Sequence, residues 1–240
     1  MLEQLEAVEQ YSNQGSLLGL DGPESEELLG ALKKMNPLMR MKWVQKLTAN
    51  PVPSKGSRSE MEKHFSELPQ PIKDQLKKGE LRLADTIIYS IKPIASKTIK
   101  MFEPQDKRQI GLISTSEGRL TKNSVLLVSG IILLTGVSAT AGVDDVMATK
   151  YDHIEAVPAL ANGEFYLKAN KKIIVPEGTG NRVFCTDNFH GTSLGYYKLA
   201  NPRLIVDDVP IELNIDIGTM TGIPANSQIF VGLHGTITTP

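Results

Sequence analysis

Cysteine occurs once in 240 residues, at Cys185. That single thiol excludes an internal disulfide framework and a cysteine-based zinc cluster. Aromatic residues make up only 5% of the chain, which argues against a stacking platform for single-stranded nucleic acid. The four histidines (His64, His153, His190, His234) show neither HxH nor HExxH spacing, so the usual histidine zinc signatures are missing. Lys and Arg are absent from residues 1–32. The opening Met1-Leu-Glu-Gln-Leu-Glu lacks a basic start and an apolar stretch. No secretory signal is expected there, and synthesis in a reducing interior fits.

What is present is a segregated charge. The overall formal charge is −1, but residues 1–32 carry −7, residues 33–123 carry +10 and residues 124–240 carry −4. Charge runs usually mark solvated faces. The same pattern also suits a polar arm that finds opposite charge on its own body or on a neighbouring copy. Acids and apolar positions dilute the basic stretch, so nucleic-acid binding is not indicated.

The first 80 residues read as a helical, charge-segregated arm. Leu2, Leu5 and Val8 recur at helical spacing. Pro23 opens a second helix with acids early and Lys33 and Lys34 late, and 37–47 carries a third with Trp43 beside its apolar face. Acids first and bases last complement the helix dipole. Asn50 to Arg58 has the Pro, Gly and Ser content of a linker, sensitive to proteolysis. Ser59 with Glu62 fits a capping box. A last short helix runs from Pro71 to Lys78 and stops at Gly79.

From Leu81 the period changes. Ile211, Leu213, Ile215 and Ile217 alternate with polar residues, and Ile229–Ile237 reads as another strand. Strict alternation puts one set of side chains on a core and the other in water. Further strands are expected at 87–91, 98–102, 110–113, 125–134, 165–167, 173–175, 183–185 and 204–206. Turn clusters such as Pro176–Gly180 and Asn201-Pro202 separate them. Residues 143–158 fit either a short helix or an excursion between strands. Residues 123–143 hold no charge over 21 positions, a length that reaches the membrane-spanning range. Apolar density is concentrated in Val125–Leu134, and Ser, Thr and Gly follow. A buried core strand explains that distribution better than a membrane helix. The expected fold is mainly β: an antiparallel β-sandwich, jelly-roll-like, over 81–240 behind an α-helical N-terminal arm over 1–80.

Four constellations invite chemistry. Gly191-Thr-Ser-Leu-Gly195 matches the G-x-S-x-G elbow, with Asp207, Asp208 and Asp216 before His234 in hydrolase order. The elbow requires a strand turning sharply into a helix, and neither flank of Ser193 reads that way. Asp144, Asp145, Asp152, His153 and Glu155 resemble a metal cluster only in spacing. Cys185 with His190 forms a candidate thiolate pair, although a lone cysteine ending an apolar run is more often a small buried residue. Tyr196, Tyr197 and Asp187 are the residues suited to a sugar. No catalytic residue, metal or cofactor is expected.

Arg119-Leu-Thr-Lys-Asn-Ser-Val-Leu-Leu-Val-Ser-Gly-Ile-Ile-Leu-Leu134 resembles a strand entering a viral β-sandwich. Ile223-Pro-Ala-Asn-Ser-Gln-Ile-Phe-Val-Gly-Leu-His-Gly-Thr-Ile-Thr-Thr-Pro240 resembles a closing strand of virion proteins from tailed or icosahedral bacteriophages. The likeness spans 81–240. It implies a jelly-roll-like body whose helical arm docks on neighbouring subunits, and it transfers no catalytic residues. The function expected is that of a structural virion protein, capsid or capsid-associated, made in the host cytoplasm and located in the virion. Its partners are copies of itself and other virion proteins. No small-molecule substrate is expected, and contact with lipid is not indicated. Two other readings are a receptor- or carbohydrate-binding sandwich of a phage tail or fibre, and a serine hydrolase using Ser193.

Overall fold

The computed structural model describes residues 60–61, 63–186 and 194–240. The helices expected before residue 50, Trp43, the 50–58 linker and both capping-box residues Ser59 and Glu62 lie outside the described residues. The chain divides into two compact units, Met1–Glu67 and Leu68–Pro240. Of the first, a 3-10 turn at Phe65–Glu67 is described, where His64 Nδ1 lies 2.9 Å from a Glu67 carboxylate oxygen.

The second unit opens with helix α1 (Gln70–Lys78), so it takes in a segment that the sequence reading gave to the arm. Pro71 sits in the first turn, where its missing N–H costs nothing. Gly79 ends the helix at φ 76°, a left-handed position that glycine adopts without a Cβ penalty. Nine strands follow: β1 (Arg82–Pro93), β2 (Thr98–Lys100), β3 (Val125–Val137), β4 (Asp152–His153), β5 (Glu164–Ala169), β6 (Lys172–Gly180), β7 (Tyr196–Val206), β8 (Ile211–Asp216) and β9 (Ser227–Thr239). Two short helices, α2 (Val143–Met147) and α3 (Pro158–Ala161), lie between β3 and β5. Residues 143–158 are therefore both a helix and an excursion, since β4 and a 3-10 turn at Ile154–Ala156 also fall there.

The unit is mainly β, with two antiparallel sheets. In the first the order is β1-β9-β3, and the far edge of β3 carries β7 along most of its length and β4 at Leu134–Thr135. In the second the order is β2-β8-β5-β6. With β4 set aside, the pairing is nested. The first strand meets the last (β1 with β9), β2 meets β8, β3 meets β7, and β5 meets β6.

One buried cluster draws on both sheets. Leu126, Val128, Ile131 and Leu133 of β3 and Val231 and Leu233 of β9 join Phe165 and Leu167 of β5 and Ile211, Leu213 and Ile215 of β8. Full burial of each such side chain stabilises by roughly 1.5–3 kcal/mol. The run Val125–Val137 is a core strand, and among the described residues no helix is long and apolar enough to cross a membrane.

Two expected strands are not strands. Residues 110–113 make only isolated bridges, Ser90 to Ile113 and Gln109 to Ile113. The segment lies along the outer edge of β1, where the Ile91 N–H donates to the Leu112 carbonyl and the Ser114 N–H to the Tyr89 carbonyl. It covers an edge that otherwise offers unpaired backbone to another chain. Val183–Cys185 falls in and just after a 3-10 turn at Asn181–Phe184, and its apolar residues serve packing, with Phe184 in the core.

Two turn clusters lie inside strands. Between Leu167↔Val175 and Phe165↔Thr179, three residues of β6 including Pro176 and Gly178 oppose Tyr166 alone. Between Val128↔Arg203 and Gly130↔Lys198, β7 accommodates Asn201 and Pro202. Both are edge strands, the places where a sheet tolerates bulges and proline. A third irregularity opposes Ser129 of β3 to the step between His234 and Gly235. A Cβ at Gly235 would collide with the Leu127 carbonyl, so this position requires glycine.

Candidate functional site

Among the described residues, those singled out for chemistry do not converge. Ser193, His190 and Asp187 lie outside the described residues. His234 is on β9 in the first sheet, where its Nδ1 lies 3.1 Å from the Tyr196 hydroxyl. Asp216 is on β8 in the second sheet and accepts a 2.6 Å hydrogen bond from Thr98 Oγ1. Asp207 accepts from the Asn123 N–H at 2.6 Å, and Asp208 pairs with Arg119 at 2.9 Å. Each carboxylate ties its segment to a distant part of the chain, and none of these bonds orients His234. The Ser-Asp-His order is thus not matched by a shared site for the Asp and His members.

The acidic cluster also disperses. Asp145 accepts from Thr140 Oγ1 beside α2. Asp152 accepts from the backbone N–H of His153 at 2.8 Å, and its side-chain oxygen lies 2.6 Å from His153 Nδ1. The backbone donor is the main reason its carboxyl is held below the usual range, with the ring contact second. Among the described residues no three His, Cys, Asp or Glu side chains gather to hold a metal ion. Burial pushes the Cys185 thiol up, which disfavours the reactive thiolate. Tyr197 packs with Phe165 and Phe184, the ring centroids 6.0–6.3 Å away, in the core. Tyr196 points instead toward His234, with its ring across Gly130, where a Cβ would collide with the phenol. The two tyrosines are adjacent on a strand and so face opposite sides. A shallow cleft of about 340 Å³ is lined by Pro158, Ala159, Asn162, Gly218, Thr219 and Thr221. It presents no ionisable group.

The feature that does converge was not legible beforehand. On the face of the first sheet turned away from the core cluster, three rings form a ladder. Tyr89 of β1 stacks on Phe230 of β9 at 5.9 Å and 13°, and Phe230 meets Tyr151 at 6.0 Å. Each terminal phenol fastens a separate piece of surface chain to the sheet. The Tyr89 hydroxyl accepts from the Gly111 N–H at 3.1 Å. The Tyr151 hydroxyl donates to the Val146 carbonyl of α2 at 3.1 Å, and burial raises its pKa. A methyl at Gly111 would lie 2.7 Å from Met147 Sδ, so the two fastened pieces touch.

The base of this protrusion is also fixed electrostatically. Lys92 of β1 pairs with Asp106 and, at 3.3 Å, with Glu103. Asp106 is buried and also accepts from the Glu103 N–H at 2.9 Å. Its carbonyl accepts from the Glu117 N–H at 2.7 Å. These contacts join the 103–117 loop to β1 through one buried, multiply hydrogen-bonded side chain. The result is a rigid shelf made of residues 103–114 and α2. Its exposed residues include three large apolar ones, Ile110 at 84%, Val143 at 44% and Met147 at 43% exposure, beside the charged Lys107, Arg108 and Asp144. The one early signal was Tyr89 within an expected strand. Its partners lie 62 and 141 positions further along the chain, at Tyr151 and Phe230, beyond the reach of spacing rules. No protein-family model matches the chain, and no curated protein matches it.

Proposed function

We propose that this chain is a structural subunit of a virus particle, a capsid or capsid-associated protein that self-assembles, built on a jelly-roll sandwich with an N-terminal arm. The observation that carries this reading is the nested pairing of eight strands, four in each sheet once the two-residue β4 of the five-stranded sheet is set aside. Nesting is what results when one long antiparallel hairpin is bent over on itself, and eight strands so rolled are the form that viral capsid domains share with some lectins and cupins. The choice among these rests on three further supports. The space between the sheets is filled by Phe165, Phe184, Leu167 and Leu213. Among the described residues, those with chemical potential are scattered. The leading segment is strongly acidic and the next strongly basic, a pattern suited to contacts between copies. Fold likeness alone would be only analogy.

The test is assembly. Purified full-length chain is followed by light scattering over rising concentration and by negative-stain electron microscopy. Concentration-dependent oligomers, shells or sheets are expected. A stable monomer at high concentration, together with absence of the chain from purified particles, sinks the reading.

A further inference from the structure

The shelf on the first sheet presents an unusual surface. Ile110 is 84% exposed, although its loop is held at both ends. Gly111 is tied to Tyr89, the Gln109 and Ile113 backbones bond each other at 2.9 Å, and Asp106 is tied to Lys92. A large aliphatic side chain held in water on a rigid loop gains nothing for the folded monomer. It is, however, already ordered for a partner, so little entropy remains to be lost on binding. Beside it, Val143 and Met147 stand four residues apart on α2, the spacing that places two side chains on one helix face. Val146, between them in sequence, is buried. The segments that carry these apolar residues also carry charges of opposite sign. Lys107 and Arg108 are exposed on the loop, Asp144 is exposed on the helix, and none of the three belongs to an ion pair among the described residues.

We propose that this shelf is an isologous contact with a second copy of the chain. In the contact Ile110 of each copy packs on Val143 and Met147 of the other, and Arg108 of each faces Asp144 of the other. A two-fold contact must be complementary to itself. A patch with an apolar middle, a basic loop and an acidic helix meets that condition when turned over on itself. A chain with a uniformly basic or acidic surface would prefer the patch less, because one flank would meet like charge.

This rests on the self-assembly reading above, and the experiment separates the two. The full chain is followed by sedimentation equilibrium as wild type, Ile110→Asp, Arg108→Glu, Asp144→Arg and the Arg108→Glu/Asp144→Arg pair. Ile110→Asp should weaken association by about tenfold or more, as loss of a central anchor does. It should leave the melting temperature unchanged, since the side chain is solvated. Each single charge reversal should weaken association, and the double reversal should restore it, because opposite charges again meet across the two-fold. Wild type that associates while Ile110→Asp associates equally well overturns this face but leaves self-assembly standing. Association unimproved in the double reversal overturns the two-fold arrangement. Wild type that stays monomeric overturns both.

Discussion

The two sheets share a core but treat their other faces differently. In the second sheet β8 alternates buried and accessible residues along Ile211–Asp216, and β5 does the same along Glu164–Ala169. Glu212, Asn214, Asp216, Tyr166 and Lys168 face water there. In the first sheet β3 is buried at nearly every position from Val125 to Leu133, and β9 is interrupted only at Phe230, His234 and Ile237 before its end. Val125 and Leu127 are fully buried although they do not belong to the cluster between the sheets. A strand buried on both faces loses alternation and becomes a continuous apolar run. That is why Val125–Leu134 raised the question of a membrane span, whereas Ile211–Ile217 raised none.

The comparison breaks most directly at matched side chains. Leu127→Ala, on the outward face of the first sheet, should cost about 3 kcal/mol, within the range for a fully buried leucine. Asn214→Ala, on the outward face of the second, should cost under about 1 kcal/mol, as a half-exposed polar side chain does. Chemical denaturation of both variants measures the difference. Equal costs mean that the outward face of the first sheet is not covered.

A second contrast concerns backbone. The irregularity opposite Ser129 brings the Leu127 carbonyl against Gly235. Gly235→Ala should destabilise by about 2–3 kcal/mol, because the obstacle is backbone and cannot swing aside. In the second sheet Gly178 of β6 has nothing within 4 Å of a notional Cβ, although its φ is 82°. Gly178→Ala therefore meets conformational cost alone, about 1 kcal/mol. A larger loss at Gly178 than at Gly235 would reverse the assignment of which sheet is tightly packed.

Ion pairs follow the same division. Lys92 and Asp106 are 17% and 6% exposed at the side chain, whereas Glu177 of the Lys168–Glu177 pair is 66% exposed. Asp106→Asn should cost about 2 kcal/mol. That is less than the loss of a fully buried partner, because Glu103 still faces the ammonium. Glu177→Gln should leave the melting temperature unmoved, as exposed pairs commonly do. Calorimetry on the two variants decides it, and a melting temperature insensitive to Asp106→Asn shows that the shelf is not anchored at Lys92.

Much of this organisation was legible in the sequence, and the remainder was hidden for identifiable reasons. Alternation located β8, and apolar runs located β3, β5 and β9, because both signals are local. Pro176–Gly180 and Asn201-Pro202 were read as chain reversals. On an edge strand the same residues bulge out of a ladder that continues, and edge status depends on pairing partners far away in sequence. Residues 110–113 have strand composition, but that composition serves to lie against β1 rather than to extend a sheet. Val183–Cys185 was apolar for packing. The order of strands, and hence the ladder of Tyr89, Phe230 and Tyr151, is a property of contacts that single-sequence periodicity does not carry.

The smallest effect compares one phenol from each side. Tyr151 packs against the first sheet, and burial alone raises its pKa. Tyr166 lies on the open face of the second. Burial raises its pKa first, but the Lys168 ammonium, 4.6 Å from the ring centroid, opposes that. Removing the ammonium with Lys168→Ala also frees the charge of Glu177, which favours the neutral phenol. Both changes act in one direction, so Tyr166 should titrate higher still in the variant while Tyr151 stays where it was. A raised phenol pKa keeps the proton in the folded state. Its stabilisation is therefore present below the ordinary phenol range and is lost as the pH climbs through that range toward the folded value. Spectrophotometric or NMR titration of wild type and variant reads both groups at once. A fall in the Tyr166 value in Lys168→Ala would mean that the cation is not what tunes the open face. A shift at Tyr151 would mean that the two faces are electrostatically coupled through the core, contrary to the independence that a covered face on one sheet and an open face on the other imply.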